Sequence, residues 1–354
     1  MKQVIYLLVL SLLMLGCKSN TEKKTQKSSS LKANSLAHPI KKSLVDTVEI
    51  DPSKIECIPT AYSYGYNENF SPGTFGKITY VYKSTKPAAK IIDSLSFNTS
   101  VNILKEYPEF FLVCTPKGKS GYIKKTDLYF HSVFWGLKSR TYLFGISKYP
   151  KKNNNEPDNF PTCAASELKV VKINESKEIL DVYKDSIQGE HYELKLIYNS
   201  ALKNSEAVFY LNYHCYDELG VSTDHFIVDN GKKLSSLIVR GGSGDGGDSE
   251  ESIVYLPVYL TNSKKIILAK NGVISIDDNT AKPELYPYPA NSGIPIDELI
   301  VVEDRSTEVV EDETNGETKH NSDGTVTEKI TITGTTYYQW NGNTLRIIKT
   351  MKGK

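Results

Sequence analysis

The sequence has little of what would announce a chemistry. Among its 354 residues there is no His-Glu-x-x-His and no Gly-x-Ser-x-Gly, so the usual signatures of zinc peptidases and of α/β-type serine hydrolases are missing. An excess of one charge is missing too. Lys and Arg number 43 against 42 Asp and Glu, a formal net charge of +1, which gives no whole-molecule field to draw in nucleic acid. No stretch of ten or more residues carries capped helical periodicity. The N-terminal apolar run Val4–Leu15 has 12 residues, too few for a membrane-spanning helix, which takes about 20. Tryptophan is scarce, at 2, whereas tyrosine reaches 23, a balance that suits half-exposed β-surfaces.

The short run has the length of a signal-peptide core. It ends at Met14-Leu15-Gly16-Cys17, and a small residue followed by Cys at that place resembles the lipobox of bacterial lipoproteins. The resemblance implies a leader over residues 1–16, cleavage before Cys17, lipidation of its thiol and attachment of the exported protein to a cell-envelope membrane. Residues 17–47 follow as a Lys- and Ser-rich stretch without apolar periodicity, read as a flexible tether.

Four further cysteines remain: Cys57, Cys114, Cys163 and Cys215. An exported chain with an even number permits up to two disulfides among them, in three possible pairings. None has Cys-x-x-Cys spacing and no His follows at zinc-ligand spacing, so no structural metal is expected.

The chain after the tether is expected to be mainly β. Between Lys77 and Leu128, the β-branched and aromatic run Ile78–Tyr82 and the alternating Val101-Asn102-Ile103 read as strands, and so does the dense run Phe110–Cys114. A Lys86-Pro87 turn and a Gly118/Gly121 turn separate them. Val81-Tyr82-Lys83-Ser84 before Pro87, then Phe110 to Val113, then Gly118 to Tyr122, resemble the bacterial SH3-like domain in order and spacing. That resemblance implies a small β-barrel, taken here as residues 48–130 with an N-terminal extension. It implies an aromatic ligand groove as well, for which Tyr82, Phe110, Phe111 and Tyr122 are the candidates. Phe110 and Tyr122 stand where the family usually carries Trp.

Residues 131–354 continue as short strands. Asn-Gly turn signals occur at Asn230-Gly231, Asn271-Gly272, Asn315-Gly316 and Asn341-Gly342. The first three are 41 and 44 residues apart, near the length of a propeller blade, so both an irregular sandwich and a propeller-like fold are open. The glycine-rich stretch Arg240–Ser252 reads as an acidic loop, with Asp245, Asp248 and Glu250 as weak calcium candidates. No Gly-Lys-Ser/Thr follows it, so it is no phosphate loop. Cys163, His191, His214 and the adjacent Asp224 and His225 are the residues that a nucleophilic mechanism would have to use, and none has a recognisable partner in the sequence. The expectation is a non-enzymatic envelope lipoprotein without cofactor or nucleic-acid partner, anchored to the membrane through Cys17. It would bind a peptide, a cell-wall glycopeptide such as a peptidoglycan peptide, or an envelope protein. The alternatives are a cell-wall hydrolase whose site the sequence hides, and an inhibitor or structural protein of the envelope.

Overall fold

Apolar runs that fill every position of a strand demand cover on both faces, and runs that alternate demand it on one; the architecture follows that distinction. The computed structural model describes residues 50–55, 57, 70–149, 164–189, 192–215, 220–245, 248–260, 265–273, 283–311, 318–321 and 325–353. The leader, Cys17, the tether, Cys163, His191, Asn315-Gly316 and Asp323-Gly324 lie outside the described residues.

The first strands are β1 (Phe70–Thr74), β2 (Ile78–Tyr82), β3 (Ile91–Ser96), β4 (Asn102–Glu106), β5 (Phe110–Cys114) and β6 (Ser120–Lys124). Strands β2 to β6 form a sheet in the order β3-β2-β6-β5-β4. The sheet is open, with β3 and β4 as its edges, so the expected barrel does not close. Its inner face holds Val81, Val101, Ile103, Phe111, Val113 and Ile123. Asn102 is exposed between two buried neighbours, as its alternation requires.

Next come β7 (Leu128–Trp135), β8 (Arg140–Lys148), β9 (Ala165–Asn174) and β10 (Ile179–Gln188), which with β1 form a second sheet, β1-β7-β8-β9-β10. β7 thus runs across residue 130. The central strand β8 buries Tyr142, Leu143, Phe144 and Ile146 completely, because Tyr142, Phe144 and Ile146 face one core and Leu143 faces another.

The third sheet has ten strands: β11 (Glu193–Leu196), β12 (Ala207–Cys215), β13 (Val221–Asp229), β14 (Leu234–Asp245), β15 (Asp248–Tyr259), β16 (Ile266–Lys270), β17 (Leu285–Tyr286), β18 (Leu299–Val309), β19 (Glu328–Trp340) and β20 (Leu345–Lys352). Its path is β11-β12-β13-β14-β15-β18-β19-β20, with β16 and β17 branching from β15. Phe209, Leu211 and Ile227 pack on the second sheet. The opposite face of the same strands, with Val208, Phe226 and Val228, meets Val254, Ile300, Val302 and Trp340 of the far half of the sheet. One sheet therefore curls over its own core. The chain is mainly β, and this continuous sheet replaces the blades that the spacing of Asn-Gly signals suggested. Asn230-Gly231 and Asn341-Gly342 open the four-residue connections β13–β14 and β19–β20. In each, the Asn Oδ1 accepts two backbone N–H bonds, from Lys232 and Lys233 in one and from Asn343 and Thr344 in the other. Among the described Asn-Gly pairs only Asn271-Gly272 has both residues at positive φ, 51° and 67°, and it opens a longer connection from β16 to β17.

Candidate functional site

The four aromatics expected to line a groove on the first sheet do not form an open one. Phe111 points into the inner core. Phe110 and Tyr122 lie on the outer face with Tyr107 and Leu112, and the half-buried Tyr82 packs against them. That face is covered by the chain's own residues 50–55. Ile55 packs on the cluster. The Tyr122 hydroxyl donates to the Ile50 carbonyl at 2.8 Å and accepts from its N–H at 3.1 Å, and the Ser120 hydroxyl donates to the Pro52 carbonyl. A disulfide joins Cys57 to Cys114, with Cα atoms 5.6 Å apart. Tyr122 is consequently 0% exposed. The run Phe110–Cys114 is apolar throughout because both its faces are covered.

The stretch Arg240–Ser252 is a hairpin, not a loop. β14 and β15 pair from Gly242 opposite Glu251 to Asp245 opposite Asp248, and residues 246–247 lie outside the described residues. Asp248 accepts from the Val309 N–H, and Glu250 points to solvent. Extended backbone spreads these carboxylates instead of wrapping them round an ion. Among the described residues, no three His, Cys, Asp or Glu side chains gather as a metal site. The side chains of Asp245, His214 and Cys215 lie outside the described residues.

That hairpin does create a site at its base. After the Gly242–Glu251 pair, β14 stays with β13 while β15 goes on with β18 and β16. The strands part, and a small open cleft lies there, lined by Ser222, Asp224, Gly241, Glu251, Lys270 and Asn271 among others. Asp224 and Asn212 are direct cross-strand neighbours, which sets their side chains on one face. The Asp224 carboxylate accepts at Oδ1 from the Tyr210 hydroxyl and Asn212 Nδ2, each at 2.7 Å, and at Oδ2 from Asn271 Nδ2 at 3.4 Å. Asn271 reaches inward because its left-handed backbone turns the chain at the end of β16. Its Oδ1 is buried and has no partner, an unmet acceptor of the kind that folded proteins seldom leave.

Among the other polar clusters of the described residues are two that hold groups with shifted titration. Between the second and third sheets, Lys172 Nζ lies 2.6 Å from Asp229 Oδ2, with side-chain exposures of 4% and 0%. Tyr142 donates to the same oxygen at 2.7 Å, and burial pushes its hydroxyl far above the ordinary tyrosine range. Gly231 N–H donates to the other oxygen at 2.9 Å. Where β10 of the second sheet meets β13 and β14 of the third, Ser236, His225 and Asp185 assemble the residue types of a hydrolytic triad. Yet Ser236 Oγ at 3.1 Å and Asp185 Oδ2 at 3.6 Å both face Nε2, while Nδ1 is buried without a partner. A working triad places the acid on Nδ1. Burial pushes the His225 pKa down to about 4 against the pull of Asp185. His225 and Asp224 sit in the body of β13, with the bulge following Phe226, not beside a turn.

Asp185, Ser236, Tyr210 and Asn212 carried no signal in the sequence, since single polar residues on strands read as solvent-facing until the pairing is known. Comparison with known proteins returns no match to a family model, a curated protein or a solved structure.

Proposed function

We propose that the protein is a non-enzymatic lipoprotein of the bacterial cell envelope, anchored through Cys17, that binds a peptide-containing envelope partner through the cleft between β14 and β15. The observation that carries this reading is the cleft itself, which brings Asp224 and the exposed Glu251 together, with the buried, unpartnered Asn271 Oδ1 in its wall. The lipobox-like Leu15-Gly16-Cys17 supports the address, and the resemblance of Lys77–Leu128 to SH3-like domains supports a place at the cell wall. The first sheet serves as a spacer, its outer face being occupied by residues 50–55.

The test is retention of the full-length protein on isolated envelope material. Wild type and Tyr82→Ala are expected to be retained. Glu251→Lys, which puts a cation at the mouth of the cleft, is expected to be lost. Retention that survives Glu251→Lys but fails with Tyr82→Ala would overturn the assignment to the cleft. Cys17→Ser is expected to move the protein from the detergent phase to the aqueous phase on detergent partition, and persistence in the detergent phase would refute the anchor.

A further inference from the structure

We infer that the cleft at the base of the β14–β15 hairpin takes the primary ammonium group of an extended peptide, such as a lysine-type side chain or a free N-terminus. This rests on the cleft being the binding site and names what it binds. Two of the donors that line the cleft, Lys270 and Ser252, already have acidic partners. Lys270 Nζ is 3.3 Å from Glu284, and Ser252 Oγ donates to Asp304 at 2.6 Å. Tyr210 and Asn212 both spend a hydrogen on Asp224 Oδ1. Unspent acceptors remain. Asn271 Oδ1 has no partner, and Asp224 Oδ2 receives one long bond at 3.4 Å. Glu251 is exposed, with no partner among the described residues.

These three oxygens come from three separate pieces of chain, and an ammonium offers three N–H donors. Two carboxylates facing one already paired lysine disfavour an anion. A divalent cation would want a denser set of charged oxygens than the described residues bring together. The peptide character follows from the lips. Gly241 and Gly242 carry no side chains, and before Gly242 the side of β14 that faces β15 pairs with no strand among the described residues, so an extended main chain can lie along β14.

The test is isothermal titration of the full-length protein, in detergent micelles, with acetyl-Ala-Lys-Ala-amide and with the same peptide acetylated on Nε. The unmodified peptide is expected to bind and the acetylated one to bind at least about tenfold more weakly, the usual effect of losing a charge-assisted bond. Asp224→Asn is expected to weaken binding about tenfold. Because Asp224 also holds Tyr210 and Asn212, the exposed Glu251→Gln serves as the variant that leaves the fold alone, with an expected loss of about threefold. Equal binding of the two peptides, preferential binding of glucosamine, or saturable binding of calcium in place of the lysine peptide would each overturn the inference. If envelope retention depends on Glu251 while the lysine peptide does not bind, this inference falls and the cleft assignment stands. If the lysine peptide binds but envelope retention is absent, the reverse holds.

Discussion

Replacing Lys172 by Met tests the packing of the second sheet on the third. Lys172 lies on β9 and Asp229 ends β13, so their contact is a weld between sheets, placed beside the core of Tyr142, Phe144, Phe209 and Ile227. Lys172→Met keeps the length of the side chain and removes its charge. Asp229, 0% exposed, is then left with the Tyr142 hydroxyl and the Gly231 N–H as its donors. Removing one partner of a buried pair costs about 3–5 kcal/mol. The two surviving bonds put the cost at the lower end, about 3 kcal/mol, or roughly 6 °C in Tm for a chain of this size. Asp229→Leu is expected to cost more, about 4–5 kcal/mol, because it strands the Tyr142 hydroxyl and the Gly231 N–H, while Lys172 keeps only Glu206 at 3.5 Å. The double variant Lys172→Met/Asp229→Leu, with no stranded charge, is expected to cost less than the two singles together by about 2 kcal/mol or more. Urea denaturation followed by tyrosine and tryptophan fluorescence reads all three. Strictly additive costs, or a Lys172→Met loss below about 1 kcal/mol, would refute the weld, since they would mean the pair is hydrated in solution.

Two further outcomes follow from the same reasoning. The Cys57–Cys114 bond closes a sequence separation of 57, for which the chain-entropy account gives about 4 kcal/mol. Cys57→Ala/Cys114→Ala is therefore expected to lower the stability read from urea denaturation by that much and to make Tyr122 accessible to solvent, whereas an unchanged midpoint would show that residues 50–55 hold the outer face without the bond. Stability is also expected to fall with acid through His225. Its pKa is about 4 when folded against 6.5 when unfolded, so below pH 6.5 the unfolded state binds the extra proton and gains from it. The loss grows from pH 6.5 down to about 4 and reaches about 3 kcal/mol, since each tenfold difference in proton affinity between the two states is worth about 1.4 kcal/mol. In His225→Gln that window flattens, and an undiminished acid slope in the variant would refute the assignment.

How far the sequence reaches can be judged residue by residue. Strand identity was legible because β-branched and aromatic runs have one stable use, and Ile78–Tyr82, Phe110–Cys114 and Ala207–Cys215 all fold as strands. What covers a strand was legible only in part. The unbroken apolar run Phe110–Cys114 states that both faces are buried, but it cannot name residues 50–55 as the second cover, because most of the hydrogen bonds that hold them use main-chain atoms of Ile50 and Pro52, which carry no sequence signal. The same gap hid the cleft. Arg240–Ser252 reads as a loop because five glycines lower strand propensity, yet cross-strand pairing with β13, β15 and β18 overrides it. A parting of two strands has no local signature, since it depends on which third strand each of them prefers. Asn271 was visible as a turn residue and invisible as an acceptor. Its left-handed φ follows from the Asn-Gly pair, whereas its direction toward Asp224 follows from where β16 is docked. The proposed cleft is therefore set by sheet topology more than by any motif, since its residues come singly from five separate stretches of chain.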